Sequence, residues 1–155
     1  MNPMIFPEHM PVGALVGPQE DFERWHREEA KALRASPNWL TTLPDCPCSI
    51  DHKKGPPGSW TKDPQWTVNR YHPGAACCWR TGAGPRQQCC FDKTGRLIRR
   101  GPAAGTPDRK GNLLEHYVWD VFPFESAEEL DRGDPLGPYK RKYWSVRPPN
   151  GGRCR

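Results

Sequence analysis

The chain has 155 residues, a formal net charge of +5 and only 35% hydrophobic residues, with a mean hydropathy of −0.89. That length suits one domain, or one domain and a tail. The composition excludes a large apolar core, and no run approaches the ~20 apolar residues of a membrane-crossing helix. Nineteen prolines and 15 glycines put much of the chain into turns and loops. Seven tryptophans and seven cysteines argue against disorder, which is poor in large aromatics. Trp25, Trp39, Trp60, Trp66, Trp79, Trp119 and Trp144 are spread along the chain and can anchor a core built from few residues.

Residues 1–17 read as an irregular leader. Pro7, Glu8, His9 and Pro11 interrupt its apolar run, so it does not form a standard signal peptide. Either the chain is cut from a longer precursor or it is exported without a cleaved signal. Residues 18–36 read as a helix and linker. Pro18 suits a first helical turn; Phe22, Trp25, Ala30 and Leu33 have roughly helical spacing; Ser36-Pro37-Asn38 ends the run. Lys53-Lys54-Gly55-Pro56-Pro57-Gly58 is a loop by composition. Short strands are expected over 66–71, 76–80, 87–92, 96–99, 116–122 and 142–146, the third and fourth joined as a hairpin around Lys93-Thr94-Gly95. Ser126, with Glu129 three residues on, reads as the cap of a short helix over 126–130. Pro148-Pro149-Asn150-Gly151-Gly152 turns the chain toward Cys154.

The mild basic excess is dispersed, with small concentrations at Arg96, Arg99 and Arg100 and at Lys140-Arg141-Lys142. Without a continuous basic run or a nucleic-acid motif, a solvated face is the simpler reading, and nucleic acid is not expected as a partner. Arg132-Gly133-Asp134 spells an integrin-binding tripeptide, but Pro135 restricts Asp134, and integrin is not expected through it. Asp45, Asp51, Asp92 and Asp108 form no EF-hand-like loop. No metal and no cofactor is read from the sequence.

The cysteines are Cys46, Cys48, Cys77, Cys78, Cys89, Cys90 and Cys154. Zinc sites favour ligands spaced C-x2-4-C, whereas here the spacing is C-x-C and two adjacent pairs, whose side chains diverge. Disulfides in an oxidising compartment are the expected chemistry. A ring between adjacent cysteines is strained, so Cys77 should not bond Cys78, nor Cys89 bond Cys90. Six cysteines admit 15 connectivities.

Several ordered segments carry a family resemblance. They are Leu43-Pro-Asp-Cys-Pro-Cys48, Tyr71-His-Pro-Gly-Ala75, Cys78-Trp-Arg80, Gln87-Gln-Cys-Cys-Phe-Asp92, Gly95-Arg-Leu-Ile98, Ala104-Gly-Thr-Pro-Asp108, His116 and Asp120-Val-Phe-Pro123. Together they resemble the AMOP domain of extracellular adhesion proteins. The tail Arg147-Pro-Pro-Asn-Gly-Gly-Arg-Cys154 is similar to the end of the isthmin version. The resemblance covers about residues 39–155, taken as a cysteine-rich domain. It implies that Cys46, Cys48, Cys78, Cys89, Cys90 and Cys154 are the framework cysteines and that Cys77 is the odd thiol. No counterpart is recognised for residues 1–35.

His72, His116 and Asp120 are the candidate catalytic residues, with Asp92 and Asp108 as further polar posts, since a general base is often a histidine oriented by a carboxylate. On a strand, His116 and Asp120 would share a face but stand about 13 Å apart, so His72 with Asp92 or Asp120 is the pairing to test. A cysteine nucleophile is not the expected chemistry: it needs a free thiolate beside a base, only Cys77 is a candidate by the family count, and a neighbouring disulfide cysteine would crowd it. The fold class expected is a β-rich α+β domain of short strands, stapled by three disulfides, with one N-terminal helix. The function expected is a secreted, extracellular protein-interaction module of the adhesion type, binding a protein partner or a cell-surface or matrix glycoprotein. The alternatives are a secreted effector or toxin with hydrolase or transferase activity at a His/Asp site, and a structural component of an assembly in which residues 1–35 dock onto a neighbour.

Overall fold

The computed structural model describes residues 17–35, 37–82, 84–149 and 153–154. The leader apart from Gly17, and the turn residues 150–152, lie outside the described residues.

Helix α1 spans Pro18–Arg34, with Pro18 in its first turn, Glu20 and Asp21 near its N-terminus and Lys31 and Arg34 near its C-terminus. This charge order complements the helix dipole. Phe22, Trp25 and Glu29 lie on its buried side. They face α4 (Phe122–Leu130) and α5 (Pro138–Val146). Phe22 and Trp25 form one apolar cluster with Phe124, Ala127, Tyr143 and Val146. Trp25 stacks on Tyr143 with ring centroids 5.5 Å apart, and Phe124 meets Tyr143 edge-on. Burying each aromatic contributes roughly 2–3 kcal/mol, so few residues suffice for this helical layer.

The second layer is an antiparallel sheet of β1 (Thr61–Lys62), β2 (Cys77–Arg80) and β3 (Gln88–Phe91), in that order. Its register pairs Cys77 with Phe91, Cys78 with Cys90 and Trp79 with Cys89. Side chains alternate across a strand, so each adjacent cysteine pair is split between the two faces. Cys78 and Cys90 bond directly across the strands, beside Val68 and Ala75. Cys77 and Cys89 lie on the opposite face with Cys46, Phe91, Trp60 and Trp79. There Cys46 bonds Cys89. Cys48 bonds Cys154 across 106 residues of sequence. Cys77 is free and buried.

The α+β class, the N-terminal helix and the three disulfides are present, but three expected strands are helices. Residues 66–71 belong to α2 (Gln65–Tyr71), residues 142–146 to α5, and residues 116–122 to a helical run from α3 (Leu113–His116) through a π-helical turn (Tyr117–Val121) into α4. Their aromatic and β-branched residues carry strand propensity, which tertiary packing overrides. The helix expected to start at Ser126 starts earlier: Asn112 caps the run, its side chain accepting from the Glu115 N–H at 2.8 Å.

Pro123 explains the π turn. It has no N–H to offer the carbonyl of Trp119, four residues back. That carbonyl instead accepts from the indole of Trp25 at 2.9 Å and from Arg147 at 3.3 Å. The gap in the helix ladder thus becomes a tie to α1 and to the end of α5. Residues 92–95 do form a turn. Asp92 Oδ1 accepts from both N–H and hydroxyl of Thr94, and Gly95 has φ +83°. A Cβ on Gly95 would run into the Ile50 carbonyl. The returning arm makes isolated bridges, Arg96 with Ser49 and Leu97 with Phe91, rather than a strand.

Candidate functional site

Helix geometry brings His116 and Asp120 together. Residues four apart on a helix are neighbours, and His116 Nδ1 stands 3.3 Å from Asp120 Oδ2, not the 13 Å of a strand. Asp108 joins them, its Oδ2 lying 3.6 Å from the same ring nitrogen. Asp108 is placed by reciprocal backbone bonds with Arg86, at 2.8 and 2.9 Å, and its carboxylate faces Arg86 Nε at 3.3 Å.

Asp120 is saturated. Its Oδ1 accepts from the backbone N–H of Arg109 at 3.0 Å and from Arg147 Nε at 2.9 Å; its Oδ2 accepts from the N–H of Lys110 at 3.2 Å. Arg147, fully buried, also pairs with Glu29 at 2.7 Å. Its guanidinium sits between Trp25 and Trp39, at 5.4 and 5.3 Å from the ring centroids. Glu29, fully buried, also pairs with Arg109. Three carboxylates therefore meet three guanidiniums and one imidazole, which is how buried charge is tolerated.

The two aspartates differ in electrostatics. Burial, and then the charge of Asp120, raise the Asp108 carboxyl well above the usual range. Burial opposes the charge on Asp120 too, but bonds from His116, Arg147 and the Arg109 N–H outweigh it and hold that carboxyl low. Burial alone would lower Arg147, yet Asp120 and Glu29 keep it raised and charged. One carboxyl raised and one lowered beside an imidazole is a pairing that acid–base sites use. Here, however, both carboxylates are held by arginines, and His116 is the most open of the three, its side chain 21% exposed.

The remaining sequence candidates lie elsewhere. His72 does not join this cluster. It follows α2, nine-tenths buried, and its Nδ1 donates to the Ala104 carbonyl at 2.9 Å. Asp92 belongs to the turn with Thr94, so neither aspartate proposed for His72 meets it. Asp108, His116 and Asp120 offer oxygens and a nitrogen within 4.8 Å of one another. Arg86 and Arg147 already supply the positive charge a cation would bring. His72 also lies near Cys78 and Cys90, but those sulfurs bond each other and cannot act as thiolates. Arg132, Gly133 and Asp134 are all exposed after α4, with Arg132 at φ 53° and Asp134 Oδ1 accepting from the Leu136 N–H.

Sequence reading missed Glu29, Arg86, Arg109 and Arg147. One signal was present: Glu29 falls seven residues after Phe22 and four after Trp25, on the apolar side of α1. A charge placed there needs a buried partner.

Fold and cluster define a small disulfide-stapled α+β domain organised around a buried ionic network. The chain belongs to the AMOP domain family, whose model matches residues 18–153 and so takes in α1. It is 30% identical over 135 aligned positions to human Sushi domain-containing protein 2, with 68% of this chain covered. It is 30% identical to Protein mesh of Bombyx mori over 158 positions, with 80% of this chain covered. The matches span only 16% and 10% of those two proteins. No solved structure matches the chain.

Proposed function

We propose that this domain is an extracellular protein-interaction module of the adhesion type, whose partner is a protein or a cell-surface or matrix glycoprotein. The observation that carries the reading is an exposed apolar face on the helical run Leu113–Phe122. Leu113 is 88% and Leu114 64% exposed, and Tyr117 and Phe122 are 39% and 40% exposed beside them. Apolar side chains grouped in this way on a stapled scaffold mark interaction surfaces, and three disulfides fit an oxidising, extracellular setting. The test is adhesion of the purified domain to a panel of cell surfaces and matrix proteins, before and after Leu113→Glu and Leu114→Glu. Binding lost with an unchanged melting temperature supports the reading; equal binding by the variant refutes it.

A secreted effector with a His/Asp site is the competing reading, favoured by the contact between His116 and Asp120. It requires His116→Gln to abolish a measurable activity without changing stability. The binding reading requires the same variant to weaken the fold and to leave adhesion intact in the fraction that remains folded.

A further inference from the structure

Outside the ionic network lies a second constellation, on the sheet face opposite the Cys78–Cys90 bond. Cys77 is buried and unbonded, and its sulfur lies 3.4 Å from His52 Nδ1. The other ring nitrogen, Nε2, lies 3.1 Å from the carbonyl oxygen of Lys93. A carbonyl only accepts, so Nε2 carries the hydrogen and Nδ1 of the neutral ring presents its lone pair to the thiol. Nucleophile, base and a third group that orients the base are thus aligned, as in activated-thiol sites. Trp79 shares the strand face of Cys77. Its indole nitrogen is buried with no hydrogen-bond partner among the described residues, and its nearness lowers the Cys77 thiol against the larger raising effect of burial.

Loop 51–60 covers this face. Asp51 holds it: its Oδ1 accepts from the Lys53 N–H and its carbonyl from the N–H groups of Lys54 and Gly55. Gly55, at φ +71°, lies flat against the Trp79 ring, where a Cβ would come within 2.5 Å of ring carbon. His52 is half-buried in that loop, beside the sulfur. The rim is basic, with exposed Lys53, Lys54, Lys62 and Lys93. Asp51 is engaged in the loop, and Asp63 is buried against Arg80.

We propose that Cys77 and His52 form a covered thiol–imidazole pair that takes up a low-molecular-weight acidic disulfide as a mixed disulfide when loop 51–60 lifts. His52 Nδ1 accepts the Cys77 proton. The thiolate attacks one sulfur of the incoming disulfide, forming the Cys77 S–S bond as the old S–S bond breaks. The departing thiolate takes the proton back from His52. The exchange needs no other oxidant, because the incoming disulfide supplies the bond. The lysine rim selects for acidic groups on that disulfide. The Cys46–Cys89 bond on the same face is not the target. Cys77 and Cys89 are diagonal partners, about 7–8 Å apart between Cα atoms in such a register, beyond the span of an unstrained bridge. At rest, burial raises the Cys77 thiol, so the sulfur stays protonated until it is uncovered.

The test uses the folded, oxidised protein with oxidised glutathione as the acidic probe and cystamine as the basic one. Intact mass follows adduct formation and non-reducing peptide mapping locates it. One glutathione on Cys77, with the three native disulfides intact, is the expected result. Cystamine should react more slowly, and Gly55→Ala, which pushes the loop off Trp79, should speed the reaction. His52→Gln should slow it on the order of 10²-fold while near-ultraviolet circular dichroism and the disulfide map stay unchanged. Cys77→Ser should take up nothing. The proposal is overturned if Cys77 reacts only after denaturation, if His52→Gln reacts as fast as the parent, or if the adduct sits on a cysteine released from a native bridge.

Discussion

Replacing Arg147 with methionine keeps most of the side-chain volume between Trp25 and Trp39 and removes the charge. Glu29 and Asp120 then remain as buried carboxylates, fully and almost fully withdrawn from solvent. Glu29 keeps Arg109, and Asp120 keeps two backbone N–H groups and His116. Removing one partner of a buried pair costs about 3–5 kcal/mol. A central value of ~4 kcal/mol is a large share of the ~5–15 kcal/mol that holds an ordinary domain together. In a chain of this size it lowers the melting temperature by roughly 8–16 °C. The assay is urea unfolding of the oxidised protein at pH 7, run with a second variant that adds Glu29→Gln. The double variant should recover part of the loss, because it removes one stranded charge. A single variant within about 1 kcal/mol of the parent, or a double variant no better than the single, would refute the buried-network account.

Burial lowers His72 from 6.5 to about 4, against the bond to Ala104 that raises it. A histidine with a depressed folded-state value contributes full stability above pH 6.5 and loses it as pH falls toward 4. The loss reaches about 3 kcal/mol, and His72→Gln should remove that slope in unfolding measured across the interval. Replacing Cys48 and Cys154 by serine opens the longest loop and should cost about 4–5 kcal/mol, against about 3 kcal/mol for Cys78 and Cys90; denaturant midpoints rank the two. Gly95→Ala places a methyl group against the Ile50 carbonyl at a positive φ. It should destabilise by about 1–3 kcal/mol, read from the same curves, whereas an unchanged midpoint would mean that the turn relaxes freely.

Much of the fold was legible where a local rule matched the final environment. Helix α1 showed itself through Pro18 and the spacing of Phe22, Trp25 and Leu33. The Asp92–Gly95 turn showed itself through its glycine. Helices α2 and α5 were hidden, because Val68, Tyr71, Tyr143, Trp144 and Val146 favour strands until packing decides otherwise. Pro138 at the first position of α5 and Asn112 before α3 were the available helix signals. That error carried into the site. On a strand His116 could not touch Asp120, whereas on a helix it must lie beside it. Arg147 was illegible for another reason. An arginine before Pro148 reads as a solvated tail, and only the assembled core places it between two tryptophans with two carboxylates in reach.

The Cys48–Cys154 bond also decides how the domain carries mechanical load. When a longer chain is pulled from both sides of residues 17–154, tension entering at Cys154 crosses directly to Cys48 through the sulfur bridge. Everything enclosed by that bridge, including the sheet and the covered thiol, is bypassed, whereas Glu29 on α1 lies outside it, so its pairs with Arg109 and Arg147 bear the load. Only the stretch from α1 to Cys48 can pay out, about 30 residues or roughly 100 Å of contour. The domain should therefore behave as a short extensible leash in series with a knot that force cannot untie until the bridge is reduced.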